Sequence, residues 1–219
     1  MTASTNGYTD PKDYPIQGID VSKIQGDIDW SAVANSGVKF AWIKATEGVD
    51  YVDQRFQANW KGAKAAGVLR GAYHVVDWCH SPNEQMAWFE KNIPADPDAL
   101  SPALDPGDMY KCGRSPVQPG VIADMKVMLE SMEHYFDKPP IIYTPPSLHG
   151  AILSVGAFRD YPIWLLRWSE VPPSIGNGYR PWYLWQYTEQ GVVDGIHHPV
   201  DRNAFYGTSQ QWQDFLAAR

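Results

Sequence analysis

The chain has no run approaching the roughly 18 consecutive apolar residues of a membrane-spanning helix, so no membrane span is expected. Its first stretch, Met1 to Asp13, is polar and lacks the apolar h-region of a secretory signal. Positive charge is also short: 18 Lys and Arg against 25 Asp and Glu leave a formal net charge of −7. That balance argues against nucleic acid as a partner, because phosphate binding needs a basic stripe. Cysteine is scarce. Cys79 and Cys112 are the only two, too few for a disulfide framework or a zinc motif, and the count leaves them either bridged or free. There is no Gly-rich phosphate loop and no Gly-x-Ser-x-Gly elbow. His197 and His198 are adjacent and would diverge on a strand, and His74, Asp77 and His80 match no standard metal spacing. Neither a metal nor a cofactor is expected.

What the chain does have is aromatic residues, with 10 Trp and 12 Tyr in 219 residues. Sugar rings stack on such faces, although most aromatics in a protein of this size fill the core. The length suits one domain, and hydrophobic residues at 44% suffice for a sizeable core.

Short apolar runs alternate with helical patterns, the signature of βα units and a parallel sheet. Strands are expected at Ile16–Val21, Val38–Lys44, Leu69–Val76, Ala103–Asp105 and Pro140–Thr144. Helices are expected at Trp30–Asn35 behind an N-cap-like Asp29, at about Gln54–Ala66 closed by Gly67, at Asn83–Asn92, and at Val117–Asp137. After Thr144 the rhythm changes. A short helix is allowed at Pro145–Leu153, and strands follow at Ile163–Trp168, Trp182–Tyr187, Val192–Asp194 and Pro199–Asn203, with a last helix at Gln210–Ala217. The predicted fold is a single flattened β/α barrel, five βα units and then about three strands, over 16–219, with 1–15 as an N-terminal extension.

In such folds functional groups collect where strands end and loops begin. Four carboxylates meet that test: Asp20 ends the first strand, Asp105 the fourth, Asp108 follows it, and Asp201 lies on a late strand. Glycosidic cleavage needs a proton donor for the leaving oxygen and negative charge, or a nucleophile, for the oxocarbenium-like centre. Carboxylates crowded in one mouth can split their pKa values and divide those roles.

Several motifs give the chain a family likeness. Gly18-Ile19-Asp20-Val21-Ser22, Phe40-Ala41-Trp42-Ile43-Lys44-Ala45-Thr46-Glu47-Gly48, Gly71-Ala72-Tyr73-His74, Trp182-Tyr183-Leu184-Trp185-Gln186-Tyr187 and Val200-Asp201-Arg202-Asn203 occur in order. Together they resemble the family 25 glycoside hydrolases, lysozymes that cut peptidoglycan between N-acetylmuramic acid and N-acetylglucosamine. The likeness runs from about Ile16 to Phe215. It implies catalytic roles for Asp20, Asp105 and Asp201, with Asp105 stabilising positive charge or partnering the substrate's acetamido group. It also implies a sugar groove lined by Tyr73, His74, Tyr143, Trp185 and Gln186. The expected partner is a peptidoglycan glycan strand, the chain is taken as a monomer, and its expected place of action is the cell wall, reached by secretion, by phage or prophage release, or by another route.

One position departs. The family's Asp-x-Glu motif carries its general acid on the Glu, and here Asp105-Pro106-Gly107-Asp108 puts glycine there. Two readings follow. In one, a working muramidase takes its proton from Asp108, or from another loop carboxylate, if Pro106-Gly107 turns the chain. In the other, the chain keeps a groove without turnover and binds or organises wall glycan, and Gly107→Glu is expected to restore hydrolysis.

Overall fold

The computed structural model describes residues 10–169 and 184–217, apart from residues 117, 146, 147, 149, 152–155 and 157. Its strands are β1 (Gln17–Val21), β2 (Phe40–Glu47), β3 (Tyr51–Val52), β4 (Leu69–Val75), β5 (Ala103–Asp105), β6 (Ile141–Thr144), β7 (Ile163–Leu166), β8 (Leu184–Gly191) and β9 (Val200–Phe205). The helices are α1 (Trp30–Asn35), α2 (Phe56–Ala65), α3 (Pro82–Asn92), α4 (Pro119–Phe136) and α5 (Ser209–Ala217).

The strands run in the order β1-β9-β8-β7-β6-β5-β4-β2, and β1 pairs with β2 to close the ring, with β3 a short edge on β2. Pairings from β1 through β2 and β4 to β8 are parallel, whereas β9 is antiparallel to both β8 and β1. The expected barrel of βα units followed by strands is therefore what forms.

Helix ends follow local chemistry. Asp29 caps α1 by accepting from the backbone N–H groups of Ser31 and Ala32, and proline opens both α3 and α4, where its missing N–H costs nothing. On α4, Val121, Met125, Met128, Leu129 and Met132 recur at helical spacing and are buried against the barrel. No described helix is long and apolar enough to cross a membrane.

Side-chain alternation along each strand divides the core in two. Phe40, Trp42, Ala103, Ile141, Trp164, Leu184 and Phe205 fill the barrel interior, and Trp212 of α5 stacks on Phe40 to close its floor. Ala41, Ile43, Ala72, Leu104, Ile142 and Leu165 face the helices.

The structure departs from the sequence reading in detail. Val192–Asp194 is not a strand, because β8 ends at Gly191 and a turn leads to β9. The strand β3 was not anticipated. The helix allowed at Pro145–Leu153 falls largely outside the described residues, as do Trp182 and Tyr183. Cys79 and Cys112 are bridged, with Cα atoms 5.4 Å apart, and tie the loops after β4 and β5 together.

Gly18 shows how tightly the interior is filled. A Cβ there would lie 2.1 Å from the Phe40 ring, which has no room to retreat between Trp42 and Trp212. Gly18→Ala is expected to cost about 1–3 kcal/mol by overpacking, read as a lower midpoint in chemical unfolding.

Candidate active site

At the mouth of the barrel, a cavity of about 270 Å³ is lined by Asp20, Tyr73, Asp105, Tyr143, Trp164, Trp168, Gln186, Glu189 and Asp201. Its carboxylates come from opposite walls. Asp20 and Asp201 are direct partners across the antiparallel β1–β9 pair. Asp105 ends β5 on the far side, in register with Val75 of β4, which is itself in register with Glu47 of β2.

Asp20 is buried and held by two amides. Gln186 Nε2 and Asn203 Nδ2 both donate to its Oδ2 at 2.8 Å. Each amide is oriented from behind. Tyr143 Oη donates to Gln186 Oε1 at 2.9 Å, Trp168 Nε1 to the same oxygen at 3.3 Å, and Trp164 Nε1 to Asn203 Oδ1 at 2.7 Å. Because their oxygens are already taken, both NH₂ groups must point at Asp20.

Burial dominates the protonation of all three acids. It raises Asp20 well above the ordinary carboxylate range, and the Asp201 charge adds to this, while the two amide donors oppose it. Burial pushes Asp201 up to about 6, helped by the charge of Glu189. Asp105 also rises to about 6 by burial, but two groups favour its ionised form: the Gly107 N–H, which donates to Oδ1 at 2.9 Å, and the Lys44 ammonium. Tyr73 is raised well above its usual value by burial and then by the three aspartates, so it stays a neutral hydroxyl.

Of the residues singled out from sequence, the structure brings together Asp20, Asp105, Asp201, Tyr73, Tyr143 and Gln186. Three others lie elsewhere. His74 points away from the mouth into the outer core, between Thr46 Oγ1 at 2.7 Å and Gln85 Oε1 at 3.3 Å, and burial lowers its pKa to about 4. Trp185 is fully buried and donates to the Arg167 carbonyl at 2.8 Å. Both are neighbours of groove residues, Tyr73 and Gln186, and alternation turns them to the opposite face. Asp108 caps a short 3₁₀ turn, Met109–Cys112, by accepting from Tyr110 N–H at 3.0 Å, and it lines a separate cavity.

Gly107 is no truncated glutamate. Its φ is +56°, and a Cβ there would lie 2.8 Å from the Val76 carbonyl oxygen. A side chain at this point meets both a left-handed backbone and a wall of main chain.

Sequence reasoning missed Trp168, Trp164 and Glu189. The first two belong to an anticipated strand and needed only its register. Glu189 follows a register irregularity in β8 between Gln186 and Thr188, and nothing in the sequence announces that irregularity.

With the geometry in place, comparison with known proteins is informative. The family model described as Glycosyl hydrolases family 25 matches residues 19–196. Lysozyme M1 of Streptomyces globisporus is 34% identical over 208 residues, covering 89% of this chain and 69% of that protein. The N,O-diacetylmuramidase of Chalaropsis sp is 36% identical over 203 residues, covering 85% and 94%. The crystal structure of the bacterial lysozyme from Streptomyces coelicolor superposes with a TM-score of 0.82 at 33% identity, covering 94% of this chain and 98% of that one.

A carboxyl raised on folding stabilises the fold while protonated; that contribution is complete below its unfolded pKa of about 3.9 and is lost as pH rises through about 6. Asp105→Asn is therefore expected to raise the thermal midpoint at pH 7, by about 2–4 °C per kcal/mol relieved, and to leave it nearly unchanged at pH 4. Gly107→Glu is expected to lower the midpoint at both pH values and to add no hydrolysis. Asp108→Asn keeps an oxygen to accept from the Tyr110 N–H, so it should leave stability and activity nearly unchanged in parallel unfolding and activity assays.

Proposed function

The chain belongs to the glycosyl hydrolases of family 25, and from that premise we propose that it cleaves peptidoglycan between N-acetylmuramic acid and N-acetylglucosamine with three aspartates. The observation that carries this reading is the Asp20–Asp201 pair facing Asp105 across one aromatic-walled cavity. Two adjacent buried carboxyls do not ionise together readily, so the pair retains a proton into the mildly acidic range. Asp201 is the less buried member and delivers that proton to the leaving oxygen. Asp105, favoured as an anion by Lys44 and by the Gly107 N–H, faces the developing positive charge or holds the acetamido group of the bound sugar. Tyr73, Tyr143, Trp164 and Trp168 wall the space where the sugar sits.

The glycine at 107 removes a side chain but not the proton source, since burial supplies a protonated carboxyl elsewhere in the same cavity. The reading as a wall-binding protein without turnover has no observation of its own beyond that glycine. One chain supplies every carboxylate, so a monomer suffices, and the place of action is the cell wall.

Purified peptidoglycan incubated with the protein is expected to release reducing ends on muramic acid, identified by product mass. Release of glucosamine reducing ends, or none, would overturn the reading. Asp201→Asn and Asp105→Asn are each expected to lower kcat by about 10²–10⁴-fold. The acid must be protonated, so kcat/KM should fall as pH rises through about 6. Glu189→Gln removes a charge that raises Asp201 and should move this alkaline limb to lower pH.

A further inference from the structure

Beside the acidic cavity lies a larger one of about 660 Å³, in the size range of small-ligand sites. It opens on the outer side of β8 and β9, and its lining includes Lys12, Gln17, Trp168, Tyr187, Gly191 and Arg202. Trp168 is shared by the two cavities, and it is 54% exposed. A glycan lying across this indole would have one sugar at the aspartates and its substituents over the second cavity.

The second cavity is lined by cationic rather than anionic side chains. The chain as a whole is acidic, yet Lys12 and Arg202 both line this space. Among the described residues neither has a carboxylate within ion-pairing distance. Asp10 caps the Lys12 backbone N–H, and its charge acts on Tyr187 of the cavity wall, where the Arg202 charge opposes it. Arg202 Nε is buried with no hydrogen-bond partner, while the same side chain hydrogen-bonds that of Tyr187. The position of Arg202 is built rather than incidental. Its stem lies flat across Gly191, where a Cβ would come within 2.4 Å of Arg202 Cγ. The wall behind it is rigid: Tyr187 Oη donates to Gln17 Oε1 at 3.0 Å, and Gln17 Nε2 donates to the Pro11 and Tyr14 carbonyls.

Two cationic side chains on one cavity favour an anion over a neutral sugar, and the peptide carried on the lactyl group of muramic acid ends in free carboxylates. We propose that the cavity around Arg202 and Lys12 is a subsite for a carboxylate of the peptidoglycan stem peptide, so that the protein reads the peptide as well as the glycan. Arg202 takes the carboxylate by charge-assisted hydrogen bonds, Lys12 adds a second positive charge at the rim, and Trp168 joins this subsite to the catalytic one. The inference rests on the peptidoglycan reading above, but its test does not depend on cleavage.

The intact protein is titrated with the free tetrapeptide L-Ala-γ-D-Glu-L-Lys-D-Ala, following tryptophan fluorescence and heat, beside the same peptide with its carboxyls amidated. Saturable binding of the acid form is expected, about tenfold or more tighter than the amide, as the loss of charge-assisted bonds requires. Arg202→Met is expected to abolish that preference. Lys12→Gln, on an exposed turn where folding is not at risk, is expected to weaken the acid form several-fold. Equal affinity for acid and amide, or no response to either variant, would overturn the proposal, as would binding of a glycerol-phosphate polymer with none of the peptide. Peptide binding without glycan cleavage would instead remove the hydrolase reading and leave the subsite standing, and cleavage without peptide binding would do the reverse.

Discussion

Closure of the barrel by the antiparallel strand β9 is the constraint on which the rest of the molecule depends. Closing the ring through β9 sets Asp201 directly against Asp20, an arrangement that two free carboxylates would avoid. The structure offsets this with hydrogen bonds. Asn203, two residues after Asp201 on the same strand, donates to Asp20, and Gln186 donates from the neighbouring strand β8. Both amides are aimed by aromatic donors that also wall the cavity. Ring closure, the buried acid pair and the aromatic groove are therefore one hydrogen-bonded network. Each buried polar group in it has a partner, as burial demands.

The same network explains how much of the protein could be read from sequence. The alternation of apolar runs and helical patterns gave the barrel, because parallel strands buried on both faces leave a strong signal. The three aspartates were legible since each sits at a strand position on the mouth side. The groove list puts three of its five residues, Tyr73, Tyr143 and Gln186, at the cavity, and the other two point elsewhere for a simple reason. It paired Tyr73 with His74 and Gln186 with Trp185, although neighbours on a strand cannot face the same way. Parity was available in the sequence, and it assigns His74 and Trp185 to the outer core. Glu189 was not available. It reaches the cavity after a register irregularity in β8, and such irregularities shift parity without a residue signature. The β8 end at Gly191 was missed for a related reason: Val192 and Val193 look like strand residues, but Val192 is 86% exposed on a turn.

Position 107 is where sequence and structure differ most in meaning. As a string, Asp105-Pro106-Gly107 looks like a motif with one member deleted. In three dimensions the glycine performs a different task. Its left-handed backbone turns the chain so that its own N–H reaches back to Asp105 Oδ1. Trp78 Nε1 donates to the Pro106 carbonyl at 2.6 Å, and the Cys79–Cys112 bridge fixes the same pair of loops from the other side. The loop is thus anchored in a conformation that presents its N–H to Asp105, and a side chain at 107 would strain it.

This arrangement moves the proton problem from a loop to the sheet. A general acid on a loop has a pKa set by whatever the loop allows at the time. An acid on β9, paired in register with a second acid on β1, has its pKa set by neighbours that cannot move apart without opening the barrel. Asp201 and Asp105 both stand at about 6, so the split between acid and anion comes from what surrounds each one. Glu189 disfavours charge on Asp201, while the Gly107 N–H and Lys44 favour it on Asp105. Two carboxyls with similar values can take opposite roles when the asymmetry is built into the groups around them. Here the asymmetry has two sources: Lys44 on β2 and Glu189 on β8 belong to strands, and the Gly107 N–H belongs to the loop after β5. On the proposed assignment, a fold that keeps these strands and the Gly107 turn keeps both roles.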